Sequence, residues 1–252
     1  STKYCEEFSM LSERVARVAR LAALTATACG LALVLTGCGG GDPEPTGATG
    51  GTTAVPTSAT PEATDAADLV TAAYDAAVGA SSVHYWGTVK EKGETYKVNF
   101  IVADGDGFGT AVTKEGKLLF RKVGNALYVR GSDAFYRKQA GAEVARMLRG
   151  KWMKLEGSAD EAAEMNQMMG LEELLSGLKD TTSGFERVGE TTVYGIAVVE
   201  LKETGTDDRL YVAANGEPYP VLLKGTDGKV AFKDWNKKVT VKAPPASQVF
   251  SF

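Results

Sequence analysis

Histidine, cysteine and proline are scarce in this chain: of 252 residues, one is His, three are Cys and eight are Pro. A single imidazole excludes most zinc sites and every mechanism that passes protons between two histidines. Three cysteines, Cys5, Cys29 and Cys38, cannot build a disulfide framework. A basic excess is missing as well. The 28 Lys+Arg stand against 32 Asp+Glu, a net charge of −4, and the pI is about 5.3, the opposite of a nucleic-acid binder. No Gly-x-Ser-x-Gly elbow, phosphate-cradling glycine loop or His-Glu-x-x-His motif occurs. No catalytic constellation is left, so neither an enzyme nor a cofactor is expected. What is present is core material, 44% hydrophobic and 24% charged, enough for one domain with appendages or for two small domains.

The N-terminal segment reads as targeting. Residues 10–20, MLSERVARVAR, set Arg14, Arg17 and Arg20 against Glu13, and residues 21–35 carry no charge. A basic stretch followed by a short apolar one is a secretory signal peptide. A bilayer-spanning helix needs about 20 apolar residues, more than this run supplies. Residues 1–9 include Glu6 and Glu7, which such leaders avoid, so Met10 is the expected start of translation.

Leu35-Thr36-Gly37-Cys38 closes the apolar run and resembles the bacterial lipobox. Small residues before the thiol let a signal peptidase reach the backbone, and the Cys38 thiol accepts a diacylglyceryl group. The resemblance implies a signal peptide over 1–37, a lipid anchor at Cys38 and a location on the outer face of the cytoplasmic membrane. Removing residues 1–37 takes four of the basic and three of the acidic side chains, leaving a net charge of −5. On net charge alone such a chain gains nothing from an anionic membrane, and two or more acyl chains must hold it. Residues 39–64 contain six Gly, four Pro and seven Thr and nothing worth burying. With Cys38 they make a disordered tether over 38–65, reaching about 30 Å as a flexible coil. The Thr/Pro bias also suits O-linked sugars.

Periodic structure begins at the domain spanning 66–252. Residues 65–80 predict a helix capped by Asp65, with Leu69, Ala73, Ala76, Ala77 and Ala80 on one face. Alternating strands follow at 82–90, 95–103, 108–113, 118–123 and 126–130, joined by turns too short for crossover helices, so antiparallel pairing is expected. The Asp104-Gly105-Asp106-Gly107 stretch reads as a hairpin turn rather than a calcium loop. The pattern breaks over 132–180: segments 132–139 and 142–149, a short Lys151–Leu155 piece, then two helices. Ser158 and Glu161 make a capping box for the first, and Leu171, Leu174, Leu175 and Leu178 form the apolar stripe of the second. Strands return at 185–188, 194–203, 209–214, 220–225, 229–234 and 239–242.

A leading amphipathic helix, a meander interrupted around Lys151-Trp152-Met153-Lys154-Leu155, and a closing Tyr219-Pro220-Val221, Gly228-Lys229-Val230, Trp235 and Val239 to Pro244 resemble the mycobacterial LppX/LprG lipoproteins of the LolA-like carrier superfamily. The resemblance spans residue 66 to the C-terminus and includes the lipobox. It implies an α+β fold, a curved antiparallel half-barrel with helices over the concave face, enclosing a cavity for the acyl chains of a lipid or glycolipid. It implies a monomer with no nucleic-acid partner. The same architecture also serves a protein-interaction or sensory lipoprotein with a filled concave face, and both readings stand at this stage.

Candidate ligand residues follow from alternation and the helical insert: Ala73, Ala77, Tyr85, Phe100, Trp152, Met165, Met169, Leu171, Leu174 and Leu175. Five of the six methionines lie within 147–169, suited either to an adaptable lipid surface or to filling an irregular core. His84 has no nucleophile or acid partner at a recognisable spacing and is expected to be structural. Replacing Cys38 by Ser is expected to abolish membrane retention in cell fractionation while leaving the circular dichroism of the domain unchanged; a variant that stays with the membrane overturns the lipid anchor.

Overall fold

Strict alternation of apolar and polar residues at short spacing leaves the backbone one economical arrangement, consecutive hairpins that share one buried face. The computed structural model describes residues 65–91, 94–155, 175, 184–226 and 228–250. The expected leader, Cys38, the tether, the Ser158/Glu161 box and Met165, Met168, Met169, Leu171, Leu174 and Leu178 lie outside these residues. The elements are α1 (Ala66–Val78), β1 (Ser82–Glu91), β2 (Glu94–Ala103), β3 (Asp106–Thr113), β4 (Gly116–Val123), β5 (Ala126–Gly131), α2 (Asp133–Met147) and β6 (Trp152–Leu155). After them come β7 (Phe185–Val193), β8 (Ile196–Glu203), β9 (Arg209–Ala213), β10 (Pro220–Gly225), β11 (Gly228–Lys233) and β12 (Val249–Phe250).

All twelve strands form one open sheet in the order β12-β6-β5-β4-β3-β2-β1-β11-β10-β9-β8-β7. Every pairing is antiparallel except that of β12 with β6, which is parallel. The fold is the α+β curved half-barrel that the sequence implied. Two meanders, β1–β6 and β7–β11, meet only at β1 and β11. There the backbones approach so closely that a Cβ on Gly87 falls 2.0 Å from the Lys229 carbonyl oxygen, and one on Gly228 falls 2.0 Å from that of Thr88. Glycine is required at both positions.

One face, here called inner, carries the main core. Val83, Tyr85, Val98, Phe100, Leu118, Phe120, Val129, Leu210 and Phe232 are buried there together with Leu69, Val70, Ala73 and Ala77 of α1. Helix α1 packs over β7, β9 and β10, and α2 over β4 and β5. Asp65 stands at the N-cap of α1, but its side chain makes no capping bond; its carbonyl takes the first helical hydrogen bond, from Leu69 N at 3.0 Å. Ser132 does cap α2, its hydroxyl accepting from Phe135 N at 3.3 Å. The chain breaks within α2 at Gly141, φ 87°, between the two segments that the sequence separated.

The β2–β3 turn has Asp104 at φ 47° and Gly105 at φ 80°, a tight hairpin of the left-handed type. Asp106 Oδ1 accepts from Gly124 N at 2.7 Å, and the Lys122 ammonium donates to the Gly105 carbonyl. Burial pulls the Lys122 pKa down, opposed by the nearby Asp106 carboxylate. Two sequence expectations differ. Tyr194 is not the start of a strand; with Gly195 it forms the β7–β8 turn at φ 51° and 80°. Residues 239–242 are not a strand either. Both sides of β11 are already paired, so the tail has no neighbouring edge to join. It passes the Arg121 guanidinium, which donates to the Lys242 carbonyl at 3.2 Å, and pairs only at β12.

Gly87→Ala is expected to destabilise the domain by about 3 kcal/mol, since the added methyl meets backbone rather than a flexible side chain. Gly189→Ala, where nothing lies within 4 Å, is the control and should leave the urea midpoint within the scatter of surface substitutions.

Candidate functional site

Short turns fix the register, and the register aligns one inward residue from each strand. The pairs Met153–Val129, Val129–Phe120, Phe120–Gly109, Gly109–Phe100, Phe100–Tyr85 and Tyr85–Phe232 lie directly opposite one another, making a single row across β6 to β11. Gly109 is the gap in the row. A Cβ there would sit 2.4 Å from the Phe100 ring, so the missing side chain is what lets Phe100 lean across β3 toward Phe120. The ring centroids run Phe120–Phe100 5.8 Å, Phe100–Tyr85 5.5 Å, Tyr85–Phe232 6.5 Å, Phe232–Trp235 5.9 Å and Trp235–Tyr219 4.7 Å. Each falls in the range in which aromatic pairs attract beyond their buried area.

Tyr85 is the polar exception in this row. It is 4% exposed, and its hydroxyl has no hydrogen-bond partner among the described residues. Burial alone holds its proton above the usual phenol range. Tyr136, by contrast, is also buried, yet its oxygen accepts from Gly131 N at 2.7 Å, and its pKa is pushed up to about 12. A buried hydroxyl without a partner costs free energy of the order of 1–3 kcal/mol.

Of the ten expected ligand residues, five come together: Ala73, Ala77, Tyr85, Phe100 and Leu175 all belong to the inner cluster, with both alanines fully buried. Trp152 is placed on the opposite face. Met153 pairs with Val129 on the inner side, so its neighbour Trp152 points outward, beneath the guanidinium groups of Arg121 and Arg130 at 5.2 and 4.7 Å. Period-two alternation names the two faces of a strand without saying which is inner; only the pairing with β5 decides it. The methionines separate as well, Met153 in the core and Met147 43% exposed. Sequence reading missed Phe120 and Phe232. For Phe120 the signal was the hairpin spacing, which places it opposite Gly109, the partner of Phe100; Phe232 faces Tyr85 through the long-range pairing of β1 with β11, for which the sequence holds no local signal.

The outer face holds a groove of about 400 Å³ bordered by Trp86, Thr88, Lys97, Val112, Tyr194 and Lys229. The Trp86 and Tyr194 rings stand 5.7 Å apart, and the Lys233 ammonium lies 5.2 Å from the Trp86 ring centre. Beside it, His84 Nε2 is hydrogen-bonded to Asn99 Oδ1 at 3.0 Å, and Nδ1 stands 3.9 Å from the Asp234 carboxylate, contacts that hold the ring between strand and turn. Among the described residues no group of three His, Cys, Asp or Glu side chains is placed to hold a metal, and no helix is long and apolar enough to cross a membrane.

An open antiparallel half-barrel with a helix-covered aromatic floor is the class of architecture these observations define. In structure the chain is similar to LprF from Mycobacterium bovis, at 15% identity over 75% of this chain and 99% of that one, with a TM-score of 0.49. It is similar to the Mycobacterium tuberculosis lipoprotein LppX, at 18% identity over 70% of this chain and 97% of that one, TM-score 0.46. An uncharacterized conserved protein from Thermus thermophilus follows at 8% identity, covering 72% of this chain and 95% of that one, TM-score 0.35. No protein-family profile and no curated sequence matches the chain.

Tyr85→Phe removes the unpartnered hydroxyl and should raise the thermal midpoint of the ligand-free protein by about 3 °C. Because burial raises the folded-state pKa of Tyr85, the wild type holds its stability below about pH 10 and loses it as pH rises further. The advantage of the Phe variant should therefore widen above that pH, and thermal melts across alkaline pH check both statements.

Proposed function

We propose that the chain is a lipid-anchored protein of the cell envelope whose inner sheet face receives the acyl chains of a lipid or glycolipid and carries that lipid at the outer face of the cytoplasmic membrane. The observation that carries this reading is the Tyr85 hydroxyl, buried and without a partner among the described residues, in an otherwise apolar row. An ester carbonyl or sugar oxygen lying among the rings supplies the acceptor it lacks. The small side chains of α1 support the same reading. Ala73 and Ala77 are among the helix residues in the inner cluster, beside Leu69 and Val70, and side chains of that size leave width between a helix and a sheet that larger ones would fill. Anchoring through Cys38 places the face beside its ligand source, and the apolar floor asks for no metal or cofactor.

A second reading, a protein-interaction or sensory lipoprotein, is favoured by one observation. Tyr85, Phe100, Phe120 and Phe232 touch one another in sequence and none is more than 4% exposed, so the layer next to the strands is already full.

One experiment separates the two. Native mass spectrometry of the full chain, released from membranes in mild detergent, is expected to find a lipid adduct beyond the mass of the anchor. Ala73→Trp is expected to remove that adduct at little cost in stability, because accessible space absorbs the indole. Absence of an adduct from the wild type, together with a loss of about 3 kcal/mol in Ala73→Trp as in a filled core, establishes the second reading instead.

A further inference from the structure

The register that aligns rings on the inner face aligns cations on the outer one. Reading directly opposed residues from β8 to β4 gives Lys202–Arg209, Arg209–Lys224, Lys224–Lys229, Lys229–Thr88, Thr88–Lys97, Lys97–Val112 and Val112–Lys117. Six cations thus stand in one line across eight strands, a span of about 34 Å at the usual strand spacing. Three consecutive pairs set like charges directly opposite each other, an arrangement that costs stability. Among the described residues counter-charges reach one end alone: Glu200 Oε1 lies 3.2 Å from Arg209 Nε and Asp207 lies 3.5 Å from Lys202 Nζ. The side chains of Lys97, Lys117, Lys224 and Lys229 are exposed, and none has an anionic partner among the described residues.

Lys97 and Lys229 flank Thr88 from either side and border the outer groove, whose wall is the Trp86 and Tyr194 pair. Tyr194 is 59% exposed and Val112 39% exposed. A line of cations, most without a counter-charge among the described residues, beside a half-buried Trp and exposed Tyr and aliphatic side chains matches the interface of an anionic bilayer, where ammonium groups meet phosphates and amphipathic rings settle at headgroup level. The net charge of −4, or −5 without residues 1–37, conceals this, because net charge counts what the sheet separates.

We propose that the outer face is a docking surface for anionic phospholipid, with one headgroup phosphate seated between Lys97, Lys229 and the Thr88 hydroxyl against the Trp86 ring. The proposal takes its membrane setting from the lipid-anchor reading, and concerns a different face from the acyl-chain floor. Docking holds the sheet against the bilayer instead of letting it swing on the tether.

The test uses the full chain reconstituted with vesicles of phosphatidylcholine alone or with about 30% phosphatidylglycerol, and reads lysine acylation by mass spectrometry. Lys138 of α2 serves as the internal reference. On anionic vesicles at low salt, acylation of Lys97, Lys224 and Lys229 is expected to slow at least about tenfold relative to Lys138, and to recover in about 0.5 M salt as the charges are screened. On neutral vesicles no slowing is expected. In the triple variant Lys97→Glu, Lys224→Glu, Lys229→Glu, read at Lys117 and Lys233, protection should be lost, at about fivefold per charge removed near the surface. The corresponding triple Arg variant should keep it. A thermal midpoint of the Glu variant at or above the wild type confirms that it folds. Recovery of the chain with neutral vesicles reports the anchor separately, so a failed anchor and a failed docking face give different patterns. Equal lysine reactivity on the two vesicle types, protection that survives high salt, or protection by soluble heparin but not by anionic vesicles overturns the proposal, the last in favour of an acidic glycan.

Discussion

The close approach of β1 and β11 governs the rest of the molecule. Two meanders with separate turns become one sheet only because neither Gly87 nor Gly228 has a side chain to hold the strands apart. Both long-range alignments cross that joint. Tyr85 faces Phe232 across it on the inner side, and Thr88 faces Lys229 across it on the outer side. A methyl group at the joint would therefore interrupt the aromatic floor and the cation line together, although it touches neither a ring nor an ammonium. The layout of either face is tied to backbone geometry at two residues with no chemistry of their own.

Much of this architecture was legible in the sequence. Alternation at 82–90 and 95–103 placed Tyr85 and Phe100 on strands, and the Asp104-Gly105 turn fixed how those strands and β3 succeed one another. The break at Gly141 separated the two parts of α2 by glycine alone. Other features were not legible because they belong to pairing. Trp152 and Met153 are adjacent and equally apolar, and only the alignment of Met153 with Val129 sends the tryptophan outward. The Val239 to Lys242 stretch has strand composition but no vacant edge beside it. Tyr194 has strand propensity, yet Tyr-Gly is the dipeptide at which the β7–β8 chain reverses.

The two faces also show how little net charge says about a sheet protein. In a helix, charges separated along the chain scatter around the axis. In a sheet, alternation sends every second residue to one side, and cross-strand register then gathers residues from distant parts of the chain into lines. Lys97 and Lys229 are 132 positions apart in sequence and two strands apart in space. Composition registers neither the cation line nor the ring row. The lines follow from turn lengths, which set register, and from the alternation period, which sets the side.

Among the described residues this open sheet has two unpaired margins, and each is blunted. At one margin β12 is two residues long, too short to template a neighbour. At the other, β7 carries an irregularity between Arg187 and Gly189 and an exposed charge pair, Arg187 with Glu190 at 2.8 Å. Bulges and charges of this kind defeat the flat, regular edge that strand-by-strand polymerisation requires. A protein concentrated on a two-dimensional surface meets copies of itself far more often than one free in solution. On the lipid-anchor reading proposed above, the refusal of these margins to pair is what keeps crowding from turning into fibres.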